Sequence, residues 1–174
     1  ESNIVITWDA PYNGGSTITS YKIFVRQSDD ATYTYNTGLC DGSDAAIISS
    51  RTCIIANTLF TELPFGLSWG SPVYAKIVAT NIKGDSTVSS ESTGASILRV
   101  PDVPVSLVND PDVTIDTQIG FKWSDGAENG GASVIDYKIS YSDEGSAYST
   151  LETGITTQSY TAISLTPGHV YGFK

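Results

Sequence analysis

The chain repeats itself, and that limits what it can fold into more than any other feature. Asn13-Gly14-Gly15 returns as Asn129-Gly130-Gly131, and Tyr21-Lys22-Ile23 returns as Tyr137-Lys138-Ile139, each 116 positions later. Thr37-Gly38 matches Thr153-Gly154 at the same offset, whereas Leu67, Gly70 and Val73 match Leu165, Gly168 and Tyr171 at an offset of 98. The first copy therefore holds 18 extra residues between Gly38 and Leu67, and both cysteines fall among them. Self-similarity of this kind marks one structural unit used twice. A length of 174 residues suits two small cores better than one large one. The expected division is 1–99 and 100–174, with Arg99-Val100-Pro101-Asp102-Val103-Pro104 as a linker stiffened by two prolines.

Within each copy apolar residues alternate with period two, as in half-buried strands. Ile4, Ile6 and Trp8 point one way, and Ile119, Phe121 and Trp123 do so in the second copy. After the Asn-Gly-Gly turn, where glycine supplies positive φ, Tyr21, Ile23 and Val25 face inward, as do Tyr137, Ile139 and Tyr141. Val73, Ala75, Ile77 and Ala79 form a further inward row. Only Asp44–Ser50 could hold a helical turn. With 23 Ser, 20 Thr and no Met among the residues, the composition also favours short twisted strands with polar outer faces.

An inward Trp, then Asn-Gly-Gly, then a Tyr opening the next strand resembles the B and C strands of the fibronectin type III family. Leu165-Thr166-Pro167-Gly168-His169-Val170-Tyr171 resembles that family's E–F corner, whose Tyr hydroxyl bonds back to the backbone. In the first copy Val73 stands at the corner Tyr position, and Trp69 stands where Pro is usual. The resemblance implies an all-β fold of two tandem fibronectin-type-III-like (immunoglobulin-like) antiparallel β-sandwiches. It implies structural core residues Trp8, Tyr21, Leu67, Trp123, Tyr137, Leu165 and Tyr171. Against the family pattern, the first copy lacks strand A and carries a Cys-looped insertion, and the second, whose strand A is expected near Val105–Val108, lacks strand G. Either the chain is an excerpt of a longer one, which is the expectation adopted, or a neighbouring subunit supplies the missing strands. The Cys-looped repeat looks like those of large repetitive surface proteins of single-celled eukaryotes.

Cys40 and Cys53 lack the second pair and the nearby His of a zinc ribbon. A local disulfide is expected, confined to the insertion, and it implies an oxidising compartment and an extracellular or cell-surface location. Two buried free thiols are the alternative. The net charge of −10 disfavours nucleic acid and anionic lipid as partners, and no apolar run is long enough for membrane insertion.

The chemistry-bearing inventory is thin. The one histidine, His169, reads as an exposed corner residue, and Asp143-Glu144 as solvated turn residues, so no catalytic residue, and no enzyme, is expected. No cofactor is expected. Asp41 and Asp44 in the Cys loop, with Asp102, Asp110, Asp112 and Asp116 near the linker, offer the oxygen ligands calcium uses, with turn formation and solubility as the alternative. Lys83-Gly84-Asp85 falls in the F–G turn, where this family sometimes displays an Arg-Gly-Asp adhesion motif. Phe24, Tyr33, Tyr35 and Trp69 are either a partner or carbohydrate surface or, preferably, cross-strand packing. These readings converge on a structural or adhesive module of a multidomain surface or filament protein, in contact with neighbouring domains or identical subunits. A ligand- or carbohydrate-binding receptor-type module is the alternative.

Overall fold

The computed structural model describes residues 2–174, in two compact units that divide after Arg99. The first contains β1 (Asn3–Thr7), β2 (Ile18–Arg26), β3 (Tyr33–Tyr35), α1 (Ala45–Ser50), β4 (Thr52–Ala56), α2 (Asn57–Thr61), β5 (Pro72–Val73), β6 (Ala75–Asn81), β7 (Gly84–Asp85) and β8 (Ala95–Ser96). The second contains β9 (Val105–Ile115), β10 (Gln118–Ser124), β11 (Tyr137–Asp143), β12 (Ser149–Ile155), β13 (Ser159–Ala162) and β14 (Tyr171–Phe173). All strand pairings are antiparallel.

In the first unit β1 pairs β4, and the second sheet has the order β3-β2-β6-β7. The second unit repeats this plan as β13-β10-β9 and β12-β11-β14. The alternation read from the sequence sets which side chains face in. Ile4, Ile6, Tyr21, Ile23 and Val25 are all buried, and the core they begin is completed by Ile55, Leu67, Val73, Ala75 and Ala79. Phe60, Phe65 and Ile97 are also fully enclosed. The second core is smaller. Phe121, Trp123, Ile139 and Ala162 are buried, and half-buried Ile119, Tyr137, Leu165 and Phe173 pack against them. Tyr171 is half-buried outside that cluster, because its phenol serves the corner described below.

Two sequence expectations need correction. The disulfide Cys40–Cys53 forms, with Cα atoms 6.0 Å apart, but it is not confined to an insertion. Cys53 lies on β4 opposite Ile6, just as Tyr160 lies on β13 opposite Phe121. β4 is thus a scaffold strand. The offset between copies falls from 116 (Tyr21, Tyr137) to 107 (Cys53, Tyr160) and then to 98 (Leu67, Leu165), so the extra residues divide into two blocks of nine flanking β4. Each block contains one short helix: α1, capped by the Asp44 carboxylate on the Ala46 N–H, and α2, which no helical period announces in five residues. Secondly, the strand expected near Val105–Val108 continues to Ile115 as β9, bulged against β10.

The edge beside β6 is closed in an unusual way. Ser86, Ser89 and Ser92, spaced by three, face Ala79, Ile77 and Ala75, spaced by two. Each serine N–H donates to its partner's carbonyl at 2.8–2.9 Å, and each serine Oγ accepts the partner's N–H at 2.9–3.0 Å. A hydroxyl replaces the carbonyl that a regular strand would present. The edge of β6 is satisfied by a coiled segment that offers no flat template for a further strand.

Two outcomes are expected. Replacing Cys40 and Cys53 together by Ala lowers unfolding free energy by about 2–5 kcal/mol, read by urea denaturation. Ser86→Ala leaves the Ala79 N–H without its acceptor and costs about 1 kcal/mol, with faster hydrogen exchange at that amide; Thr87→Ala, on an exposed side chain, leaves both unchanged.

Candidate functional site

At one end of the first unit the turn before β2 meets the turn between β6 and β7. The Asn81 amide ties them, donating to the Asn13 carbonyl at 2.8 Å and accepting the Lys83 N–H at 2.8 Å. Gly84, at φ 122, takes a conformation that side chains rarely adopt. Asp85 does not project from this turn. Its carboxylate accepts from Lys22 Nζ and Thr80 Oγ1, both at 2.6 Å. The Lys22 bond first, and the Thr80 bond second, hold this carboxyl below its ordinary range. Lys83, Gly84 and Asp85 therefore lie on an exposed turn whose acid is already engaged. The side chains that do project are Tyr12, at the rim of a depression of about 250 Å³, and Ile82 at the turn tip, 92% and 83% exposed. Sequence reasoning passed over both, because single apolar residues in turns carry no periodic signal.

The second unit offers an apolar cleft of about 360 Å³ between its sheets, lined by Val103, Leu107, Phe121, Trp123, Ile139 and Phe173. β14 is the edge strand beside it. The Thr166 N–H donates to Tyr171 Oη at 3.0 Å, which fixes the corner before β14. Tyr137 donates from its hydroxyl to Asp125, and that bond, followed by burial, raises the phenol's pKa.

The aromatic residues on the outer face of the first unit are engaged across strands. Phe24 packs on Tyr35, its register partner, at 5.8 Å. Lys76 lies 3.9 Å over the Tyr33 ring and Arg26 lies 3.9 Å over Tyr74, whereas Trp69 is not on this face: it packs against the core, with the Arg99 guanidinium 5.8 Å from its ring. The carboxylates considered for calcium do not converge. Asp41 accepts from the Ser43 N–H and hydroxyl, Asp44 caps α1, and Asp110 pairs with Lys122 at 2.8 Å. Among the described residues the group of three candidate metal donors is instead Asp143, Glu144 and His169.

No family model matches the chain, nor does any curated protein sequence. Solved structures do. A crystal structure of titin domains aligns over 98% of this chain with a TM-score of 0.54 at 14% identity. A two-domain fibronectin type III segment of chicken tenascin aligns over 99% with a TM-score of 0.40 and 14% identity. The first three such domains of chicken contactin 1 align over 98% with a TM-score of 0.42 and 16% identity. The chain spans 58%, 82% and 55% of those structures respectively. With the strand order and the bonded corner tyrosine already described, and with Trp8 packed edge to face on Tyr21 and Trp123 on Tyr137, the fold is decided. Each unit is a fibronectin type III-like sandwich.

Among the described residues of these fibronectin type III-like units no helix is long and apolar enough to cross a membrane. The engaged Asp85 gives a pH test. Its depressed carboxyl contributes stability that is present above the unfolded pKa, about 3.9, and is lost as pH falls through the lower folded value. Asp85→Asn is expected to flatten that segment of the stability–pH profile measured by thermal unfolding.

Proposed function

We propose that this chain is a non-enzymatic structural or adhesive segment of an extracellular or cell-surface protein, in which consecutive sandwiches act as spacers within a multidomain or filamentous assembly. The observation that carries the reading is the buried Cys40–Cys53 disulfide, 6% and 1% exposed, because such bonds form and persist in oxidising compartments and are rare in the cytosol. Closing a loop of this size stabilises by about 3 kcal/mol in the chain-entropy model. That is a useful gain for a domain of under 100 residues, where core area is limited.

The surface supports the same reading. Residues 100–174 carry ten acidic against three basic side chains, a balance suited to solubility and poorly suited to nucleic acid or anionic membranes. Contacts with neighbouring domains or identical subunits would use the turn ends, where Tyr12 and Ile82 stand exposed. The Lys83-Gly84-Asp85 turn is the weaker adhesive candidate, since adhesion through it requires Asp85 to leave Lys22 and Thr80.

A second reading, a ligand-binding receptor-type module, is favoured by the apolar cleft of the second unit. Stacking of sugars on the first unit's outer face has less support, because the rings there are covered by Lys76 and Arg26.

Two measurements test the proposal. Mass spectrometry of the chain recovered from its own cells, alkylated before reduction, is expected to find no labelled thiol at Cys40 or Cys53; complete labelling would remove the extracellular assignment. Electron microscopy of the native material is expected to show linear strands or filaments. Isolated particles carrying a bound small ligand would favour the receptor-type reading.

A further inference from the structure

We propose that Asp143, Glu144 and His169 form a binding site for a divalent cation of the zinc class. Asp143 ends β11, and Glu144 and Gly145 are the two left-handed residues (φ 50 and 73) of the tight turn that leads towards β12. The Ser146 N–H closes this turn on the Asp143 carbonyl at 2.9 Å. His169 comes from a different segment, the corner before β14. The two segments are brought together by continuation of the β11–β14 ladder: the Glu144 N–H donates to the Val170 carbonyl at 2.9 Å, and the Val170 N–H donates to Glu144 Oε1 at 2.6 Å. The imidazole is oriented from both sides. Nδ1 stands 2.9 Å from Asp143 Oδ1, and the ring stacks on Tyr171, 24° from parallel. The Tyr171 hydroxyl is itself anchored by the Thr166 N–H.

The donor set selects the ion. One imidazole and two carboxylates are zinc ligands, whereas calcium and magnesium take oxygen throughout. The imidazole also separates this group from the solvated carboxylate pairs elsewhere on the surface. The donor atoms lie within 4.8 Å of one another. A tetrahedral ion with bonds of about 2.1 Å needs donors roughly 3.4 Å apart, so the ion replaces the Asp143–His169 hydrogen bond, opening that pair from 2.9 Å, and a small movement of the exposed Glu144 side chain brings in the third donor. Glu144 keeps one carboxylate oxygen on the Val170 N–H and has the other for the ion. The His169 and Asp143 side chains are 42% and 39% exposed, which gives an ion an open approach. Three protein donors leave a fourth position for water.

The test is calorimetric titration of ZnCl2 into the 174-residue chain, with CaCl2 as comparison, alongside NMR of the same mixture. The expected result is one equivalent bound with a Kd of about 1–100 μM, and shifts centred on His169, Gly145 and Ser146. His169→Gln and Glu144→Gln, both at exposed positions, each weaken zinc binding by at least about tenfold; Lys138→Gln, which supplies no donor, leaves it unchanged. Absence of saturable binding up to about 1 mM zinc, calcium binding as tight as zinc, or undiminished zinc affinity in His169→Gln overturns the proposal. The titration of the unaltered chain decides the matter even where a variant does not fold.

Discussion

One aromatic pair, used twice, holds each sandwich together. Trp8 meets Tyr21 edge to face with centroids 5.1 Å apart, and Trp123 meets Tyr137 at 5.2 Å. Trp123 lies on β10 and Tyr137 opens β11, while Trp8 directly follows β1 and Tyr21 lies within β2, so in both units the contact joins the two sheets. It comes at a cost, because both indole N–H groups are buried without an acceptor. An unpaired buried donor costs about 1–3 kcal/mol. Removing a ring of this size from water is worth about 4–6 kcal/mol, and the edge-to-face geometry adds about 0.5–1.5 kcal/mol. Ring burial wins, and the Asn-Gly-Gly turn, whose glycines are left-handed in both copies, follows from the need to bring the chain from one sheet to the other beside it.

The two units solve the rest of the packing problem differently. The first encloses Phe60, Phe65 and Ile97 completely and ties β4 to the preceding loop through Cys40–Cys53. That loop runs so close to β2 that Gly42 has no room for a Cβ beside the Tyr21 carbonyl, and the Tyr21 N–H donates to the Gly42 carbonyl at 2.9 Å. The second unit has neither added block, and its enclosed core is smaller, built on Phe121, Trp123, Ile139 and Ala162. The extra residues of the first copy are therefore core-building material on both sides of a shared strand.

Edges are handled by side-chain chemistry. The serine ladder satisfies both the N–H and the carbonyl of Ala75, Ile77 and Ala79 without forming a strand. Its spacing of three is visible at Ser86, Ser89 and Ser92, yet it matches neither the period of a strand nor that of a helix, so a search for those two periods passes over it. The tyrosine corner was legible, because its residues are adjacent in sequence and its hydrogen bond joins Thr166 to Tyr171 over five positions.

What the sequence determined by itself was the strand content, the inward rows and the twofold use of one sandwich plan. Burial alternates with every residue along a strand, so a local pattern is enough to read it. Tertiary structure alone decided which distant residues meet. Cys53 faces Ile6 on a scaffold strand, Asp85 gives its carboxylate to Lys22 across 63 positions, and His169 reaches Asp143 across 26. Those pairings depend on the register between strands, which is set by the packed core as a whole and is not written in any one segment.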